Sequence, residues 1–101
     1  MNYRDLYADE VDNFLKQPGA IALDMRDHQS YLSGHLPGAE RADEQCVSRL
    51  IRKRTEKPPV LIYCYHGVMR RDFAELVRRL GFEQVYHLVG GYRSWSQLAG
   101  A

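Results

Sequence analysis

Two cysteines, four histidines and a run of arginines are the side chains here with the reach for covalent or proton-transfer chemistry, and their neighbours decide which of them perform it. Cys64 closes the strongest strand signal in the chain, Val60-Leu-Ile-Tyr63, where β-branched and aromatic residues follow the break at Pro58-Pro59. It opens Cys64-Tyr-His-Gly67, and a helical pattern follows this short loop up to Leu80. Strand, tight loop and helix together aim successive backbone N–H groups and the positive end of a helix at one point. Gly67 permits the sharp curl, and Arg70 and Arg71 add positive charge nearby. Such a setting favours a thiolate over a thiol, and the same amides hold small oxyanions. A nucleophile and an anion cradle in one place suit attack on an anionic sulfur or phosphorus compound. Cys64 is therefore the candidate catalytic residue, and Tyr65, His66, Gly67, Val68, Met69 and Arg70 form the candidate substrate-binding loop. For His66, assistance to binding or proton transfer and plain solvation are equally consistent with a loop position.

The elements that must position this loop alternate. A helical pattern runs from about Ala8 to Lys16, with Asp9 as its expected cap and Val11, Phe14 and Leu15 at helical spacing, until Pro18-Gly19 stops it. Ala20-Ile-Ala-Leu-Asp24 reads as a strand buried on both faces, its end carrying Asp24, Arg26 and Asp27. Residues 27–33 read as a short helix and Gly34–Ala39 as a turn-rich loop. From Asp43 to Arg54, Cys46, Val47, Leu50 and Ile51 make one apolar helical stripe, which gives Cys46 a core role. Phe73, Leu76, Val77 and Leu80 share one face of the helix after the loop, and Gly81 is its expected stop. Val85-Tyr-His-Leu88 is a further strand, Gly90-Gly91 a turn, and Tyr92–Leu98 a last helix. This order predicts an α/β domain with a mostly parallel sheet covered on both faces, where ligands bind at the carboxyl ends of strands. Asp24 and Cys64 both sit at such ends.

Composition narrows the partners. Lys plus Arg number 14 and Asp plus Glu 13, a formal net charge of +1, so no global field holds a nucleic acid or an anionic membrane. The basic stretch from Arg49 to Lys57 lacks interleaved aromatics and reads as a solvated helix face. His28, His35, His66 and His87 show no metal-ligand spacing with either cysteine, so no metal is expected. The N-terminus is charged every few residues, and the apolar runs fall far short of the ~20 residues that span a bilayer. The expectation is one cytoplasmic domain over residues 1–101, with both thiols reduced.

Against this background the ordered motifs resemble those of the single-domain rhodaneses, a family of sulfurtransferases. Ile21-Ala-Leu-Asp-Met-Arg-Asp27 resembles the family's first signature and Tyr31-Leu-Ser-Gly-His-Leu-Pro-Gly-Ala39 its continuation. Cys64-Tyr-His-Gly67 is similar to the active-site loop of the small bacterial thiosulfate sulfurtransferases, and Leu80-Gly-Phe82, Val85-Tyr86 and Gly90-Gly-Tyr92 with Trp95 resemble the C-terminal signature. The resemblance implies a central, mostly parallel five-stranded sheet with helices on both faces. It implies double displacement without a cofactor: Cys64 takes the outer sulfur of thiosulfate as a persulfide and hands it to cyanide or a thiol, including a protein thiol. Asp24 and Arg26 then brace the loop or its entrance, and His35 belongs to the scaffold.

After Gly67 the chain departs from the family pattern. Val68-Met-Arg-Arg71 stands where members commonly carry a small polar residue or arginine at the position of Met69 and a serine-like residue at Arg70. The departure also places Arg70 six residues after Cys64, the cysteine-phosphatase spacing, in which an arginine grips phosphate. Phosphatases sharing this fold have a loop one residue longer, and no extra residue is evident here. Sulfur transfer is the expected function. The alternatives are a rhodanese-fold binding or sulfur-carrier module without thiosulfate turnover, and phosphatase-like oxyanion chemistry using Cys64 and Arg70.

Overall fold

The computed structural model describes residues 3–68 and 70–100. Five strands form one sheet: β1 (Arg4–Leu6), β2 (Ile21–Asp24), β3 (Glu40–Arg41), β4 (Val60–Tyr63) and β5 (Val85–Leu88). Their order is β1-β5-β4-β2-β3, and every pairing is parallel, so the sheet is wholly rather than mostly parallel. The helices are α1 (Val11–Leu15, entered through a 3-10 turn at Ala8–Glu10), α2 (His28–Ser33), α3 (Glu44–Lys53), α4 (Arg71–Arg79) and α5 (Gly91–Leu98).

Strand period sorts the apolar side chains onto two faces. Ile21, Leu23, Val60, Ile62 and Val85 pack with Cys46 and Leu50 of α3 and with Ala74 and Val77 of α4. Ala22, Leu61, Tyr63 and Leu88 pack on the other side with Val11 and Phe14 of α1 and with Tyr92 and Trp95 of α5. β4 is buried along its whole length between β2 and β5, so its last residue delivers Cys64 to the middle of the sheet's carboxyl edge.

Several local expectations change. Asp9 does not cap the first helix; it lies within the 3-10 turn, and the Glu10 carboxylate accepts the Tyr7 amide at 2.8 Å instead. Asp27 and Asp43 do cap, accepting from Ser30 N at 3.2 Å and Cys46 N at 3.0 Å. Leu76 and Ile51 are exposed and Ala74 is buried in the α4 interface, because the short helices present a narrower stripe than their apolar residues fill. The strands β1 and β3 gave no apolar signal: they are the two edges, and charged residues at an edge discourage pairing with another chain.

Candidate active site

Cys64 is free and half-buried, and its Sγ accepts the backbone N–H of Gly67 at 3.2 Å and of Val68 at 3.1 Å. In its thiol form the same sulfur donates to the Val68 carbonyl at 3.3 Å. The amides converge because the loop's carbonyls are drawn the other way. The Cys64 carbonyl accepts Tyr92 N at 2.8 Å, the Tyr65 carbonyl accepts Arg93 N at 3.1 Å, and the Gly67 carbonyl meets His87 Nε2 at 2.7 Å. The start of α5, whose first N–H groups have no partner inside their own helix, thus serves as the loop's outer lattice. Glycine is required on both sides of this contact. Gly67 has φ +86°, and a Cβ there would lie 2.6 Å from the Gly90 amide nitrogen; a Cβ on Gly91 would lie 2.4 Å from the Tyr65 carbonyl oxygen.

Beneath the loop runs a buried polar network. Asp24 is completely buried and accepts Tyr63 Oη at 2.8 Å, Arg26 N at 2.8 Å and the Arg26 guanidinium through both carboxylate oxygens. Arg26 also donates to the Gly34 carbonyl at 2.5 Å and lies 4.1 Å from the centroid of the Tyr92 ring. Tyr63 Oη accepts the Leu36 amide at 3.2 Å. Burial opposes the charge of Arg26, but the hydrogen bond and charge of Asp24 outweigh it, so its pKa is raised. Burial pushes the Tyr63 phenol up well beyond its ordinary value, and Asp24 adds to the effect. The network reaches Cys64 through Tyr92, which stacks on Arg26 and donates its amide to the Cys64 carbonyl. Arg26, Ser30, Ser33, Tyr65 and Tyr92 border a cleft of about 340 Å³ beside the loop.

The remaining loop residues face outward. Tyr65 (45%) and Val68 (71%) are exposed, and the ring of His66, also exposed, meets that of Tyr65 edge-on at 4.6 Å. The Arg70 guanidinium is engaged by Asp72, at 3.2 and 3.1 Å, on the surface. That pairing holds the Asp72 carboxyl below its usual range and raises Arg70. Met69 lies outside the described residues. His35 stacks on Tyr31 at 4.0 Å, and its Nδ1 lies 2.8 Å from the Tyr31 carbonyl, within the turn leading to β3. Cys46 is fully buried among apolar side chains, and burial pushes its thiol up.

Sequence reading gave no site role to Gly90, Gly91, Tyr92 or His87. The glycine pair before a helix was a visible signal. His87 was visible only as a polar residue in an otherwise apolar strand, and its relation to the loop needs the parallel pairing of β5 with β4, which sets it opposite Ile62.

Comparison with known proteins agrees with this architecture. The family model for the rhodanese-like domain matches residues 7–98. The thiosulfate sulfurtransferase GlpE of Pseudomonas fluorescens is 36% identical over 80% of this chain and 74% of its own length. That of Coxiella burnetii is 30% identical over 94% and 89%. A crystal structure of a rhodanese-like domain protein from Staphylococcus aureus superposes with a TM-score of 0.69 at 19% identity, covering 91% of this chain and 90% of that one. The chain belongs to the rhodanese-like domain family.

Proposed function

We propose that this protein is a thiosulfate sulfurtransferase that works through a persulfide on Cys64. The observation that carries the reading is the half-exposed Cys64 sulfur held by two main-chain amides at the end of the central strand. The Cys64 thiolate attacks the outer sulfur of thiosulfate; the S–S bond to the sulfonate breaks, and sulfite leaves with the electron pair. The Gly67 and Val68 amides, which hold Sγ, stabilise the negative charge on the Cys64 sulfur as an oxyanion hole would. Cyanide or a thiolate then attacks that sulfur, the Cys–S–S bond breaks, and Cys64 returns as thiolate. No external redox partner is needed.

The proposed partners are a small anionic sulfur donor and a thiophilic acceptor. The cleft beside Tyr65 and Tyr92 is the approach route, and the exposed Tyr65 and Val68 suit an acceptor thiol carried on another protein. Phosphatase chemistry fits less well. Its arginine is committed to Asp72, and Asp72, the nearest candidate for a general acid, is held towards its ionised form.

The test is to treat the protein with thiosulfate and weigh it intact, then add cyanide and measure thiocyanate. The expected result is a gain of one sulfur, lost on cyanide and absent in Cys64→Ser, with thiocyanate formed catalytically. Absence of both mass gain and thiocyanate rejects the reading. Arg70→Ala is expected to change thiocyanate formation by less than about threefold, as for loss of a surface ion pair. Aryl-phosphate turnover that vanishes in Arg70→Ala would favour the phosphatase reading instead.

A further inference from the structure

We infer that His87 is a positioning residue for the active-site loop, locking the Gly67–Val68 peptide so that its N–H points at the Cys64 sulfur. The inference rests on the reading of Cys64 as the nucleophile. Three carbonyls in the loop are turned away from Sγ, and two of them are held by backbone amides of α5. The third, that of Gly67, is held by a side chain: His87 Nε2 lies 2.7 Å from it. A carbonyl only accepts, so Nε2 carries the proton. In a trans peptide the C=O and the following N–H point in opposite directions. Tethering the Gly67 oxygen therefore fixes the Val68 N–H, which is the shorter of the two amide contacts to Sγ at 3.1 Å.

Gly67 makes such a tether necessary. With φ +86° and no Cβ, its flanking peptides are the freest in the loop to rotate. The ring is itself held in place. The register sets it beside Asp5 of β1, whose carboxylate is 3.5 Å from Nδ1, and the Tyr3 ring packs edge-on at 5.9 Å. Nδ1 is buried and makes no hydrogen bond of its own among the described residues. Asp5 and Tyr3 are thus the titratable groups that the β1 end turns towards the ring, and the loop presents it with a neutral carbonyl.

Two amide replacements separate positioning from packing. In His87→Gln the terminal NH₂ reaches the place of Nε2; in His87→Asn it stops near Nδ1, leaving the Gly67 carbonyl without a donor. The readout is the pH profile of Cys64 alkylation by iodoacetamide, read alongside thermal unfolding. Alkylation needs no sulfur donor, so it remains informative if thiosulfate is not the substrate. His87→Asn is expected to move the profile to higher pH, by about a tenfold loss in thiolate stabilisation, and to lower kcat for thiocyanate more than it raises KM. His87→Gln is expected to restore most of both. Profiles that are the same in Asn, Gln and the parent protein, or equally displaced in both variants, overturn the proposal. Nitrogen NMR of the unmodified protein checks it without substitution: neutral His87 is expected as the Nε2–H tautomer, and the Nδ1–H tautomer overturns the inference.

Discussion

At the residue scale the site divides its work between groups that cannot be exchanged and groups that can. Gly67 is of the first kind. A methyl group there meets the Gly90 amide at 2.6 Å and sits in the left-handed region, so Gly67→Ala is expected to cost ~1–3 kcal/mol in backbone strain. Because relief comes from swinging the loop off α5, the loss of thiocyanate formation should exceed what the fraction unfolded explains. Urea unfolding measured beside the turnover assay checks this, and a turnover loss equal to the unfolded fraction would count against it. The setting of the Cys64 sulfur, at a strand end under loop amides, was legible from the sequence because strand, cysteine and glycine lie within a few residues of one another. The assignment of Cys46 to the core was legible for the same local reason, its place on a helical stripe. The roles of His87 and Gly91 were not, since each is defined by what lies across a strand pairing or a helix start.

At the element scale the central strands and the helices could be read, while the edges could not. β2, β4 and β5 carry the apolar side chains of both layers, and their composition declares it. β1 and β3 are short and charged, and only their partners make them strands. Between β2 and β4 the Asp24, Arg26 and Tyr63 network replaces what would otherwise be apolar packing, which makes it expensive to break from one side. Asp24→Ala leaves the Arg26 guanidinium, nearly all buried, without its counter-charge, and is expected to destabilise the fold by ~3–5 kcal/mol. Arg26→Met in the Asp24→Ala background should recover part of the loss, because the orphaned charge goes with it. Equilibrium urea unfolding of the three proteins at neutral pH measures both, and a double variant no more stable than Asp24→Ala contradicts the argument. The network's link to Tyr92 predicts that Asp24→Ala also slows sulfur loading of Cys64 in the fraction that remains folded.

At the scale of the whole molecule, two buried acids whose charged forms the fold disfavours are expected to weaken it at alkaline pH. Burial raises both the Cys46 thiol and the Tyr63 phenol. Each therefore loses its proton at lower pH in the unfolded chain than in the folded one. The unfolded state then binds fewer protons, and stability falls as pH rises. The contribution is complete below the ordinary thiol value of ~8.5 and declines above it, with a second decline above the ordinary phenol value of ~10. Cys46→Ala is expected to flatten the first decline while lowering stability at neutral pH through the cavity it leaves. Urea midpoints from pH 7 to 10.5 provide the check, and an unchanged slope in Cys46→Ala would contradict the assignment. No helix among the described residues is long and apolar enough to cross a membrane. The anchoring of the loop by its carbonyls carries a consequence for how such a domain diversifies. The sulfur is held by main chain alone, while the side chains of Tyr65, His66 and Val68 project away from it. Those three positions are open to redesign or drift, with the main-chain cradle of the Cys64 sulfur passed on intact.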